Sequence, residues 1–403
     1  MVIKFARLSL LNLFIVSILG ITLRCKAVFS LPFIDYKNLL NAHSHFAFAG
    51  WVTTALFTGL IYMLSSSGRP LSDIYRYQFR LSQISSFGML VSFSAQGYGP
   101  VSILFSSLSV VFSWWFAIQY LRDCRKTDWP PVVRRAIRLS LAFLILSAAG
   151  PILLAWYKNH PGSGPAFYYN AIYLYLHFQY NGWFIFGVIA LYFGSVYRRL
   201  QPRQLRLAGA FVTLMGLACI PAYCLSLLWM TPPAWVGAVA SGAALLQLGA
   251  LSLLFFHGSF PKGLWSLSFI AFSIKLVLQA ASAIPALGHF AFGYRPLVIA
   301  YLHLVVLGCI TFALLAFFLA NGLLNSSSIS ARIGLAAFVA GVTANELILF
   351  LQSLLAFTSR SWPGAAYYLL AAAALMFTGL AFLTFFNYRR DSRHVNRPLT
   401  SVA

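Results

Sequence analysis

The chain is poor in charge and poorer still in acids. Of its 403 residues only 8% are charged, and Asp35, Asp73, Asp123, Asp128, Glu346 and Asp391 are all the acids it has. A soluble domain carries about a quarter charged residues, so a water-soluble multidomain protein is excluded. Five cysteines, Cys25, Cys124, Cys219, Cys224 and Cys309, form no CxxC pair, which argues against a disulfide framework. There is no Walker loop, no HExxH, no GxSxG, no low-complexity stretch and no long polar segment. A net charge of +22 ordinarily suggests nucleic acid. Here, though, Lys and Arg fill short gaps between apolar runs instead of striping a soluble face, so no nucleic-acid partner is expected. Chemistry, if any, belongs to the apolar bundle or its mouths.

Hydrophobic length is what the chain does have: 60% of residues are hydrophobic and 17% aromatic. A helix needs about 20 apolar residues to cross the hydrocarbon core. On that rule twelve spans are expected, beginning near Phe5, Leu39, Arg80, Val101, Arg138, Asn170, Leu207, Ala234, Leu264, Pro296, Ile333 and Gly364. The first follows Lys4 and Arg7 as a signal peptide would, but it runs on to about Thr22 with no small-x-small cleavage site, and it is read as a helix. The N-terminal tail and the connections after even-numbered spans hold twenty-one Lys and Arg, those after odd-numbered spans six. By the positive-inside rule both termini face the cytoplasm. The expectation is therefore an all-α polytopic membrane helical bundle: one twelve-span domain over residues 1–403 in a bacterial-type inner membrane, with a cytoplasmic tail from about residue 388.

Polar groups are costly inside a bilayer, so each is a functional candidate. Four histidines lie in apolar sequence: His43 and His45 in LLNAHSHFAFAGW, His177 in IYLYLHFQYNGWF, and His303 in VIAYLHLVVLG. Of the others, His257 falls at the end of span 8, His160 and His289 in outer loops, and His394 in the tail. The four sit on spans 2, 6 and 10, a few residues after each begins, roughly 6–11 Å below the outer surface. Imidazole is the commonest metal ligand and a standard axial ligand of haem iron, so a shared depth points to a common metal or haem site. Residues two apart on a helix point about 200° apart, so His43 and His45 cannot both face one centre.

With these spans and histidines the chain resembles subunit I of the haem-copper oxidases and nitric oxide reductases, and HSHFAFAG is similar to the HxH and downstream Gly of the NnrS-like proteins. The resemblance implies a membrane haem protein handling electrons and O₂ or NO, an oxidoreductase if it turns over. A b-type haem would lie between His43 or His45 and His303, with copper or non-haem iron at His177. A small redox donor, further membrane subunits and a diatomic gas are the partners implied. Of the arginines expected outside, Arg24, Arg295 and Arg360, the last two are the expected partners of the haem propionates. The departures are specific. Span 7 has none of the two adjacent histidines that hold copper, span 10 carries His303 alone, and Asn181 stands where the reductases have Glu. A divergent member without the full copper set is expected.

Two charges fall at mid-span, Lys275 in span 9 and Glu346 in span 11. They are expected either to pair in the bundle or to form a proton relay. The alternative function is a secondary transporter coupled through that pair, with helix breaks at Gly150–Pro151, Ile220–Pro221 and Ile284–Pro285.

Overall fold

The computed structural model describes residues 1–389 apart from 69, 256, 257, 259 and 326. His257, His394 and the tail beyond Arg389 lie outside the described residues. Among the described residues there are helices and connections and no strand. The described residues form twelve long helical runs: α1 (Val2–Val28), α2 (Tyr36–Ser66), α3 (Ile74–Gln96), α4 (Pro100–Cys124), α5 (Pro131–Asn159), α6 (164–196), α7 (Pro202–Met230), α8 (Ala234–Phe255), α9 (Leu264–Ala281), α10 (Arg295–Ala320), α11 (Ile329–Phe357) and α12 (Ala365–Arg389). Ten of them, all but α3 and α6, are long and apolar enough to cross a membrane. The chain is a multi-pass membrane protein.

Helix starts follow local chemistry and precede the apolar runs by several residues. Pro100, Pro131 and Pro202 open α4, α5 and α7, where a missing N–H costs nothing. The Asp35 carboxylate caps α2 by accepting from the Asn38 N–H at 2.7 Å, and Ser328 caps α11 through the Ala331 N–H at 3.1 Å. Prolines also make the breaks. α5 turns at Ala148 ahead of Pro151, α7 tightens to 3₁₀ geometry from Pro221 to Met230, and Pro285 begins a separate short helix, Pro285–Gly293, after α9 has ended.

Three helices form the centre. In the most apolar stretch of α2, 83% of residues are buried inside the protein, and in that of α10, 67%; the other eight range from 22% to 44% and face outward. In α6 every residue from Trp183 to Leu191 is buried. These three pack against one another, and the remaining nine surround them, with α12 closing back on α1.

The central helices share an irregularity. Each passes into π-helical geometry at its histidine: Phe46–Thr53 after His45, His177–Phe184 from His177, and Leu304–Thr311 after His303. The sequences align as well. HFAFAGWVT from His45, HFQYNGWFI from His177 and HLVVLGCIT from His303 share His, then Gly five residues on. A π turn disturbs the backbone ladder, and each loosened stretch is met by a side chain from the preceding helix. Asn12 of α1 donates to the Gly50 carbonyl at 2.5 Å, Ser140 of α5 to the Trp183 carbonyl at 2.8 Å, and Ser268 of α9 to the Cys309 carbonyl at 2.6 Å.

Bonds among the three follow the same order. Trp51 of α2 donates Nε1–H to Thr311 of α10 at 2.8 Å, and Trp183 of α6 donates to Thr53 of α2 at 3.4 Å. At the third junction the aligned residues are Cys309 and Ile185, which line an apolar void of about 80 Å³. The fold is thus three quasi-equivalent four-helix units, α1–α4, α5–α8 and α9–α12.

The shared glycine permits close approach of α5 to α6. A Cβ on Gly182 would stand 2.4 Å from the Phe143 Cβ, whereas one on Gly237 of α8 would meet nothing within 4 Å. Gly182→Ala is therefore expected to destabilise the protein by about 1–3 kcal/mol through overpacking, seen as a lower unfolding midpoint in detergent. Gly237→Ala should leave the midpoint unchanged or raise it slightly.

Candidate functional site

A cavity of about 540 Å³ lies beside the central helices, at the end of the bundle that carries the 97–99 turn. Three of the four intramembrane histidines line it: His43, His45 and His303. Ligand pockets span about 300–1,000 Å³, so a haem-sized group is within range.

The lining divides at α2, because His43 and His45 point to opposite sides of that helix. His43 faces α1 and α10. Its ring lies against Gly20, where a Cβ would come within 3.3 Å of Cε1, and it sits in the electrostatic range of His303. Its Nδ1 is buried with no hydrogen-bond partner. His303 is held by its own helix, Nδ1 lying 2.8 Å from the Ile299 carbonyl. A carbonyl only accepts, so Nδ1 carries the proton and Nε2 keeps its lone pair for the cavity. A ring N–H donated to a backbone carbonyl is the usual way a metal-ligating imidazole is oriented. Arg24, Asn345, Phe338 and Met376 complete this side. His45 faces the other side, stacked on Phe93 of α3 at 4.2 Å and bonded through Nε2 to the Tyr98 hydroxyl at 2.9 Å.

His177 stands apart. It does not line the cavity and is 1% exposed. The Asn181 amide lies 3.1 Å from Nδ1, and Nε2 is 2.8 Å from the Cys219 carbonyl. The carbonyl requires a proton on Nε2, so Nδ1 accepts from Asn181 and both nitrogens are engaged. This histidine ties α6 to α7. Among the described residues no group of three or more His, Cys, Asp or Glu could hold a metal ion.

The arginines sort differently from expectation. Arg295 is exposed, its guanidinium 5.7 Å over the Tyr36 ring, and Arg360 is exposed in the turn after α11; neither lines the cavity. Arg24 does, near the end of α1, with Nη2 3.5 Å from the Asn345 Oδ1. Glu346 belongs to this cluster, accepting from the Asn345 amide at 2.9 Å and lying in the field of Arg24. Lys275 is elsewhere, 1% exposed on α9 and near Cys219 and Cys309. Among the described residues Lys275 and Glu346 form no ion pair; the ion pairs found are Arg76–Asp73 and Lys126–Asp123, both outside the bundle interior. The expected mid-membrane pair is thus replaced by an Arg24–Asn345–Glu346 cluster and a solitary buried lysine.

Hydropathy did not mark Arg24, Asn345 or Tyr98 as lining residues. Arg24 was readable as the one outer arginine that continues an apolar helix. The HxxxxG repeat was also present in the sequence, visible once the three histidine segments are laid over one another. No protein-family model matches the chain, and no curated protein matches it.

His177→Phe removes both ring nitrogens and strands the Asn181 amide and the Cys219 carbonyl. A stability loss of about 1–3 kcal/mol in thermal unfolding is expected, with any ligand bound in the cavity retained. Loss of a bound metal at unchanged stability would instead make His177 a ligand.

Proposed function

We propose that the chain is a membrane haem protein whose haem, of b type, sits on the α1, α10, α11 and α12 side of the cavity between His43 and His303. The observation that carries this reading is the pairing of two differently prepared imidazoles in one cavity. One has a buried nitrogen without a partner, and the other is oriented by its own helix with the second nitrogen bare. The donor set suits iron, for which imidazole is a standard axial ligand. Carboxylates on the bound group would meet Arg24, whose guanidinium fork fits them, and not Arg295 or Arg360. Bound there between two imidazoles, haem would supply one-electron chemistry, and a diatomic gas such as O₂ or NO would reach the iron only by displacing one of them. The chain's residues orient the ring and exclude water: His303 is fixed by the Ile299 carbonyl, Gly20 leaves room for the His43 imidazole, and Phe338 and Met376 close the apolar wall. The shortage of ligands beyond this pair favours electron transfer or gas binding over a haem-copper reaction centre. A secondary transporter coupled through Lys275 and Glu346 has no paired charges to support it.

Twelve spans with both termini in the cytoplasm complete the reading, α3 and α6 crossing as partly polar helices because their polar faces turn into the bundle. Gln78, Ser82, Ser85 and Ser86 of α3 are buried in this way.

Two experiments test these statements. Detergent-purified protein from haem-replete cells should show a sharp reduced α-band. His43→Ala and His303→Ala should each abolish or shift it, Arg24→Gln should weaken haem retention, and Arg360→Gln should not. A colourless preparation without iron overturns the haem reading. For topology, a fluorescent fusion after Lys126 should light up and a phosphatase fusion after Gly162 should be active; the reverse pattern inverts the orientation.

A further inference from the structure

The side of the cavity that faces away from the haem reading has its own chemistry. It is bounded by α2, α4, α5 and α6, and His45 and Tyr98 stand at its mouth. Ser109 and Ser113 on α4 line it, as does Tyr175 on α6, which lies in the electrostatic range of Tyr98. Among the described residues none of these three hydroxyls has a hydrogen-bond partner in the protein. Trp114, beside Ser113, also lines the cavity, and its Nε1–H is buried with no partner. Burying a polar group without a partner costs on the order of 1–3 kcal/mol. One buried N–H and three lining hydroxyls that make no bond within the protein mark a place where something else supplies the bonds.

Arg24 belongs to the other side of α2, and no carboxylate, lysine or arginine lines this one. A charged ligand would therefore go uncompensated, and the occupant is neutral. The walls between the polar groups are apolar, among them Phe48, Met89 and Leu154. The occupant is thus an apolar body carrying a few hydrogen-bonding atoms. Hydroxyls and imidazole can each donate or accept, whereas Trp114 only donates. That mixture suits a ring whose oxygens accept when oxidised and donate when reduced.

We infer that this side of the cavity is a binding site for a membrane-soluble quinone, its ring oxygens bonded by His45 or Tyr98 at the mouth and by Ser109, Ser113 or Trp114 deeper in. The site does not depend on the haem reading. If both hold, the quinone ring lies one helix away from the haem, because His43 and His45 are two residues apart on α2.

Trp114 supplies the readout. Short-chain ubiquinone titrated into the detergent-purified full-length protein should quench tryptophan emission saturably, and Trp114→Phe should lose the saturable component. Ser109→Ala with Ser113→Ala should raise the half-saturating concentration at least tenfold while leaving the unfolding midpoint within a few degrees. His303→Ala should not change it. Quenching that rises linearly with quinone and is the same in Trp114→Phe would overturn the inference, because it reports partition into detergent. Equal half-saturation in the double serine variant would overturn it as well. Because His303→Ala is read in the same titration, failure of the haem reading leaves this result standing, and the reverse also holds.

Discussion

Every backbone N–H and C=O inside a bilayer must find its partner within the protein, and this bundle meets that demand where it is hardest to meet. The central helices give up regular α geometry for two turns each, within apolar surroundings that offer no water. Asn12, Ser140 and Ser268 answer from the neighbouring helices α1, α5 and α9. Each of these side chains fixes both the rotation and the depth of an outer helix against an inner one. The inner three are then locked together by Trp51 and Trp183. The position of each histidine follows, since each stands where its helix leaves α geometry.

From that frame comes the division of the cavity. An α-helix presents residues two apart to opposite sides, so one turn of α2 serves two spaces with different chemistry. His43 looks toward a basic, partly charged region with Arg24 and Glu346. His45 looks toward a neutral one lined by hydroxyls. The second unit spends its histidine on structure: His177 joins α6 to α7 through Asn181 and Cys219. A threefold scaffold thus carries three different local environments, distinguished by which side chains face each inner helix.

Much of this was legible in the sequence, and the failures share one cause. Apolar runs located the helices, and the depth of His43, His45 and His303 in their spans marked residues that do meet in one cavity. Depth along a helix is readable from residue number; direction around it is not, once a π turn intervenes. Lys275 and Glu346 are both at mid-span, yet they belong to different parts of the bundle. Likewise His177 has the depth of the cavity histidines but faces α7. Arg295 opens α10 and Arg360 sits in the turn after α11, both exposed, whereas Arg24 is carried inward because its helix continues past the apolar run. The helices α3 and α6 are less apolar than the other ten, and α3 buries Gln78, Ser82, Ser85 and Ser86 inside the bundle.

The cross-connection of the three units has a consequence for how the chain is made. Trp51 is bonded to a residue 260 positions later in the chain. At a synthesis rate of about 5–20 residues per second, roughly 13–52 s separate the appearance of the two partners. During that interval α2, destined for the centre, has lipid or an insertion factor where α10 will be, and its indole N–H and π-helical carbonyls have only the first unit to satisfy them. Biogenesis of the protein is therefore a matter of holding an inner helix in waiting until the last third of the chain arrives to enclose it.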